Sequence, residues 1–235
     1  MKVIKQYWKY ESEHSYSSAL ALIEAAARTC YKSNSASDSL EEKENFIRRL
    51  IVSGHHSVLE HYSISLRIIT DRGVTHELVR HRICSYSQES TRYCNYSNDR
   101  FGNEITVILP VWFYDIDTDK IRFLRSSSSN EISLLEVQYL EWFTACQVAE
   151  DSYFRLLNLG QQPQQARSVL PNSLKTEIVT TANLREWRHI LKLRTDKRAH
   201  PQMRSLMLDI LTNFKKDFPV FFEDIEGGNI EEVQV

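Results

Sequence analysis

The stretch RHRICSYSQESTR, Arg80 to Arg92, places three arginines and a histidine within thirteen residues and interleaves them with hydroxyl side chains. A guanidinium stays charged at any accessible pH, and its planar fork binds phosphate or carboxylate bidentately. The stretch therefore reads as a site for anionic, planar ligands. Just before it, Val74 to Arg82 has the composition of a short helix following a turn at Asp71-Arg-Gly73. Arg80 and Arg82 at the end of such a helix would suit its dipole. That explains one or two arginines, but not the run of Ser85, Ser87, Gln88, Ser90 and Arg92, which shows no apolar period.

Upstream, a short apolar start at Val3 and Ile4 precedes an Ala- and Leu-rich helix over Ser18 to Tyr31. Ser39 with Glu42 has capping-box spacing and opens a second helix, which should end near Gly54. His55, His56 and His61 then sit beside Glu60, suitable ligand types for zinc. The H-E-x-x-H and H-x-x-E-H spacings are both missing there, so these residues read as a turn or as groups that orient an organic ligand. Ser63 to Thr70 alternates β-branched residues and predicts a strand.

Downstream, 98–103 reads as a loop and Ile105 to Trp112 as a short strand interrupted at Pro110. About 115–130 is polar, ends in a run of serines, and reads as a variable surface excursion. Leu135, Tyr139, Trp142, Cys146, Ala149, Tyr153 and Leu156 form one apolar seam on a long helix closed by Gly160. The segment PQQARSVLP predicts a short helix delivering Arg167, and Ser173 to Thr181 predicts a strand. Asn183 with Glu186 repeats the capping-box spacing and opens a helix to about Arg194, on which Arg185 and His189 share a face. Pro201 starts a last amphipathic helix, and an acidic, frayed tail follows from about 223 to 235.

The net charge of -2 gives no general field for gathering phosphate. No apolar run approaches a bilayer span and no signal core opens the chain, which predicts a cytoplasmic protein without a membrane partner. Cys30, Cys84, Cys94 and Cys146 form no C-x-x-C pair, and thiols read as reduced. There is no Rossmann or P-loop glycine pattern and no G-x-S-x-G elbow. No repeat or linker divides the chain, so 1–235 reads as a single domain.

Arg80 to Ser90 matches R-H-R-x7-S, and with HHSVLEH, STRY, ARSVLP, TANLREWRHILKLR and TDKRAHPQMR in order the chain resembles the flavin-dependent thymidylate synthases over most of its length. The resemblance implies an α+β fold, a central, mostly antiparallel sheet flanked by helices, assembled as a homotetramer with active sites between subunits. It implies reductive methylation of dUMP to dTMP, with methylenetetrahydrofolate as carbon donor, FAD as hydride carrier, NADPH as reductant and no metal. It places His55, Ser57, Arg80, His81, Arg82, Gln88, Asn183, Arg185 and His189 at FAD. It places Glu77, Arg80, Gln88, Glu89, Ser90, Thr91, Arg92, Arg167 and Arg194 at dUMP.

Arg194 takes the catalytic role in this reading, stabilising an N3 anion of the pyrimidine so that C5 becomes nucleophilic. Ser90, with no base indicated beside it, orients dUMP. Glu77 stands where an amide is frequent in the family, and a carboxylate there would have to face the base or sugar. His189 stands where some members have Asn. Two rival readings make different predictions. A nucleic-acid-binding protein using the arginine-aromatic stretch would be colourless and bind with strong salt dependence. A metal hydrolase built on His55, His56 and His61 would lose activity to chelators.

Overall fold

A computed structural model of the chain describes residues 1–32, 39–98, 102–117 and 132–227. Its centre is a pair of nine-residue antiparallel strands, β3 (Ser63–Asp71) and β6 (Lys175–Asn183), in register from Ser63 opposite Asn183 to Asp71 opposite Lys175. Strict alternation sends Ile64, Leu66 and Ile68 of β3, with Thr176, Ile178, Thr180 and Ala182 of β6, into the interior. The opposite face carries Ser65, Arg67, Lys175 and Glu177, joined by a Ser65–Thr181 hydroxyl bond and an Arg67–Glu177 ion pair. β2 (Tyr7–Tyr10) pairs antiparallel with β3, and β4 (Ser85–Gln88) pairs antiparallel with β6, giving the order β2-β3-β6-β4. β1 (Lys2–Ile4) and β5 (Thr106–Ile108) form a separate parallel pair.

Helices cover the apolar face of the sheet. α1 (Tyr16–Tyr31) and α2 (Leu40–Val52) pack there with α6 (Leu184–Arg194), α7 (Pro201–Asp217) and α8 (Pro219–Phe222). Trp187 of α6 is fully buried, stands edge-on to Phe214 and donates its indole N–H to the Ile64 carbonyl at 2.9 Å, tying helix layer to sheet. A second core lies under α4 (Leu134–Asn158), whose Tyr139, Cys146 and Tyr153 are buried at steps of seven, and takes in Ala166 of the short α5 (Pro163–Ala166). No helix among the described residues is long and apolar enough to cross a membrane.

The expected mixed fold and antiparallel sheet are present, with several corrections in detail. α3 spans Arg72–Leu78 and not Val74 to Arg82, because the Asp71 carboxylate accepts the Val74 N–H at 2.7 Å and starts the helix early. Arg80 and Arg82 therefore lie beyond its end. The motif stretch contains a strand, β4, in place of an unbroken polar run. The apolar seam of α4 is only partly core: Leu135 is 39% exposed, and Trp142 and Leu156 are half-buried. Gly54 (φ +76°) and Gly160 (φ +90°) do close α2 and α4, since the left-handed backbone lets His55 and Gln161 bond back to Leu50 and Leu156.

Most of the surface excursion at 115–130 and the end of the acidic tail at 228–235 lie outside the described residues. The tail's beginning is anchored and not frayed. Glu223 pairs with Arg48, and Asp224 pairs with Arg188.

Candidate active site

The candidate site is built where α6 ends against the segment that follows α3. Asn183 starts α6 by accepting the Glu186 N–H at 2.9 Å. Arg188, 3% exposed, donates to both Asp224 oxygens at 2.6 Å and to the Phe221 carbonyl. With Trp187 buried between these anchors, the rotation of the helix is fixed and Arg194 is aimed at the motif. Its Nε donates to His81 Nε2 at 3.0 Å, Nη1 to Glu77 Oε2 at 2.9 Å and Nη2 to the Glu77 carbonyl at 3.1 Å. On the motif side, the Tyr86 hydroxyl of β4 is shared between the Leu78 and His81 carbonyls at 2.7 and 2.9 Å, which holds the turn in place.

A guanidinium N–H can only donate, so His81 Nε2 must be an acceptor and the ring must be neutral. Burial is the main cause that lowers its pKa, followed by the charges of Arg194, His189 and Arg80, and together they bring it down to about 4. On the other side of the ring, Nδ1 lies 3.7 Å from Oε1 of Glu186, a buried carboxyl whose pKa is raised by burial.

His81, Glu186 and His189 bring ligand atoms within 4.8 Å of one another, two imidazoles and a carboxylate of the kind that holds a transition metal. The protonation state opposes that use. With Nε2 accepting from Arg194, the proton of His81 sits on Nδ1, the nitrogen that faces Glu186. Ligation there would require moving the proton to Nε2 and breaking the Arg194 bond, beside two further guanidinium charges.

Three of the nine proposed flavin residues share one cleft of ≈ 560 Å³. Asn183, Arg185 and His189 line it with His56, Glu60, Ile83, Glu186, Arg188 and Lys192. Arg185 is held by Glu60 at 2.6 Å. His55 and Ser57 flank it on and beside the 3-10 turn His56–His61 and are exposed. Arg80 and Arg82 are exposed, and among the described residues their guanidinium groups make no ion pair. The amide, imidazole and guanidinium groups edging this cleft, with the exposed forks of Arg80 and Arg82 on the segment that brings Ile83 to it, suit a planar cofactor carrying a pyrophosphate.

The proposed nucleotide residues are more dispersed. Arg167 donates to Thr91 Oγ1 at 3.0 Å, and the two share a cleft of ≈ 530 Å³ with Arg72, His76, Gln164 and Ser168. Gln88 turns inward and donates to Thr75 and Thr176 at 2.9 and 3.1 Å. Glu89 is paired with Lys175 at 2.7 Å and accepts from Tyr96 at 3.1 Å. Ser90 Oγ accepts the Arg92 N–H at 3.3 Å, and among the described residues no base is bonded to it. The Arg92 guanidinium lies 5.5 Å from the centroid of the Tyr93 ring.

One chain thus brings Glu77, His81 and Arg194 together, lines one cleft with Asn183, Arg185 and His189, and pairs Thr91 with Arg167. It leaves His55, Ser57, Arg80, Arg82 and Arg92 at the surface, and it gives Gln88 and Glu89 internal partners. Sequence reasoning missed Glu186, which the capping-box spacing explained away. It also missed Arg72, whose buried Nη1 has no partner among the described residues. The three histidines of 55–61 form no metal group among the described residues.

Comparison with known proteins adds independent findings. A family model described as "Thymidylate synthase complementing protein" matches residues 14–220. The chain is 34% identical over 214 residues to the flavin-dependent thymidylate synthase of Mycobacterium tuberculosis, covering 88% of this chain and 79% of that protein. It is 34% identical over 223 residues to that of Corynebacterium diphtheriae, covering 93% and 83%. Among solved structures it is similar to a UMP/dUMP methylase, PolB, from Streptomyces cacaoi. With 5-Br dUMP bound, the TM-score is 0.73 at 24% identity, covering 95% of this chain and 96% of that one. With 5-Br UMP bound, the TM-score is 0.71 at 22% identity, covering 95% of each chain. At those identities the likeness is one of fold.

Proposed function

The chain belongs to the flavin-dependent thymidylate synthases, and from that membership we propose how its residues divide the work of converting dUMP to dTMP. It is a flavin-dependent methyltransferase acting on dUMP. In this reading the flavin is FAD, the one-carbon unit comes from methylenetetrahydrofolate, and NADPH is the reductant. When bound, FAD supplies the hydride that completes the methyl group.

The observation that carries the assignment is the cradle around Arg194. Its guanidinium is half-buried and held on two sides, by a neutral imidazole and by the Glu77 carboxylate and carbonyl. A fixed cation in a site of reduced solvent access is the arrangement that stabilises developing negative charge most effectively. Set against the uracil, Arg194 would favour loss of the N3 proton to solvent, and the resulting charge, spread over N3, O2 and O4, makes the ring electron-rich, so that N1 can push density through C6 to C5, the atom that forms the bond to the methylene carbon. No covalent attack on the base is needed, in keeping with a Ser90 to which no base is bonded among the described residues.

Glu77 belongs at this end of the nucleotide, beside the base-activating guanidinium and away from the phosphate. Arg167, Thr91 and Arg92 are assigned to the phosphate, with Ser90, Gln88 and Glu89 shaping that side of the site. Arg80 serves both ligands. His81 and Arg82, with His55, Ser57, Gln88, Asn183, Arg185 and His189, are assigned to FAD. The family's homotetramer supplies a reason for the dispersal of these groups, because active sites between subunits would combine the clefts of different copies.

The purified protein should be yellow, or turn yellow on adding FAD, and should form dTMP only when dUMP, methylenetetrahydrofolate and NADPH are all present. Failure to take up FAD, or dTMP formation without it, would contradict this reading.

A further inference from the structure

We propose that Glu186 is a positioning residue for Arg194, acting through His81. Its carboxyl favours the His81 proton on Nδ1, which leaves Nε2 to accept the Arg194 Nε–H and so orients the guanidinium.

The chain of contacts allows one consistent assignment of protons. Arg194 can only donate to His81 Nε2 at 3.0 Å, so the single proton of the neutral ring is on Nδ1. That tautomer needs an acceptor, because a buried N–H without one carries a desolvation cost. Glu186 Oε1, 3.7 Å away, is the oxygen placed to serve. The separation exceeds a hydrogen bond, so at this distance the carboxyl acts on the ring electrostatically, and it is the acceptor nearest to Nδ1 that would take the bond on closer approach. Among the described residues the Glu186 carboxyl makes no side-chain hydrogen bond, although the residue is only 7% exposed. A buried acid that makes no side-chain hydrogen bond among the described residues, facing an imidazole that is itself bonded to the key guanidinium, has the layout of an acid-imidazole relay in which the acid selects the tautomer.

The surroundings support a neutral ring. Facing it are Arg194, His189 and Glu186 from α6, Arg80 from its own segment and, through Arg194, Glu77 from α3. Burial and the three cationic or imidazole neighbours oppose protonation, so the choice open to His81 lies between its two neutral tautomers. In the other tautomer an Nε2–H would meet the Arg194 Nε–H head on and push the guanidinium away.

The effect on turnover rests on the reading of Arg194 as the activating charge, whereas the tautomer does not, so the two are measured separately. In flavin-loaded enzyme labelled with 15N-histidine, long-range 1H–15N spectra report which ring nitrogen carries the proton. His81 is assigned by the signals that disappear in His81→Asn. Wild type should show the Nδ1–H tautomer from pH 6 to 8. Glu186→Gln keeps an oxygen acceptor and should retain both that pattern and near-normal kcat. Glu186→Leu should move His81 toward the Nε2–H tautomer and lower kcat about 10- to 100-fold, as small misplacements of catalytic groups do, with flavin still bound.

A His81 protonated on Nε2 in wild type, or an unchanged Nδ1–H pattern in Glu186→Leu, would overturn the proposal. So would a shifted tautomer with unchanged kcat while Arg194→Ala is inactive. If Arg194→Ala itself turns over normally, the activation role fails, and the tautomer data still decide the role of Glu186.

Discussion

His81 shows how one buried residue links the stability of this protein to pH. Its folded pKa, near 4, lies below the ordinary histidine value of 6.5, chiefly through burial and then through Arg194. The unfolded chain therefore binds the extra proton first as pH falls, and the stabilisation present above pH 6.5 is lost progressively down to about 4. The shift corresponds to roughly 3 kcal/mol. Glu186, with its pKa raised by burial, acts in the opposite direction. The informative quantity is therefore the difference between wild type and His81→Asn. Denaturant unfolding at pH 7 and pH 5 should show a larger loss for wild type than for the variant, and equal losses would refute the neutral assignment. Arg194→Ala should lower kcat about 10²–10³-fold, the scale of losing one preorganised donor to a developing anion, while flavin absorbance stays at the wild-type level.

At the scale of the element, α6 holds Arg194 in place because it is capped by Asn183 and anchored mid-helix through Trp187 and Arg188. Asp224→Asn would weaken the bidentate hold on buried Arg188, and since Asp224 is 42% exposed the expected cost is modest, about 1–2 kcal/mol. The denaturation midpoint should fall with an unchanged slope, and no shift would mean that Arg188 is held by other contacts. How much of this was legible in the sequence depended on element length. β3, β6, α4, α6 and α7 announce themselves through long regular periods, and Asn183 and Pro201 mark their starts correctly. β2 and β4 have four residues each, too few for a period to stand out, and β4 sits in a polar stretch whose pairing depends on β6, almost ninety residues later. Asp71 reads as a turn residue, yet its carboxylate caps α3 and shifts the helix two residues upstream. In the site, the motif residues and Arg194 were legible because the family pattern names them. Glu186 and Arg72 were not, since their significance comes from burial beside distant side chains. Gln88 and Glu89 read as ligand groups, and only the fold reveals their inward partners Thr75, Thr176 and Lys175.

For the whole molecule, the proposed flavin and phosphate clefts share no lining residue within one chain. α4 meanwhile leaves Val137 and Val148 exposed at 42% and 55%, and Leu159, just past its end, is 82% exposed; the spacing of eleven puts the two valines on one helical face. Exposed apolar side chains on one helical face are available for contact with a second copy of the chain. Together with the family resemblance it predicts a homotetramer by sedimentation, with Val148→Glu giving smaller species and proportionally lower activity. A variant that stays tetrameric would remove α4 from the interface. The account's central claim, however, is that Arg194 activates the base by stabilising its N3 anion. The most direct measurement is the 15N NMR titration of [3-15N]dUMP bound to the flavin-loaded enzyme. The prediction is that N3 loses its proton at a markedly lower pH on wild-type enzyme than in free dUMP, and that Arg194→Ala, still binding the nucleotide, restores the solution value. An N3–H that titrates alike when free, when bound to wild type and when bound to Arg194→Ala would contradict it.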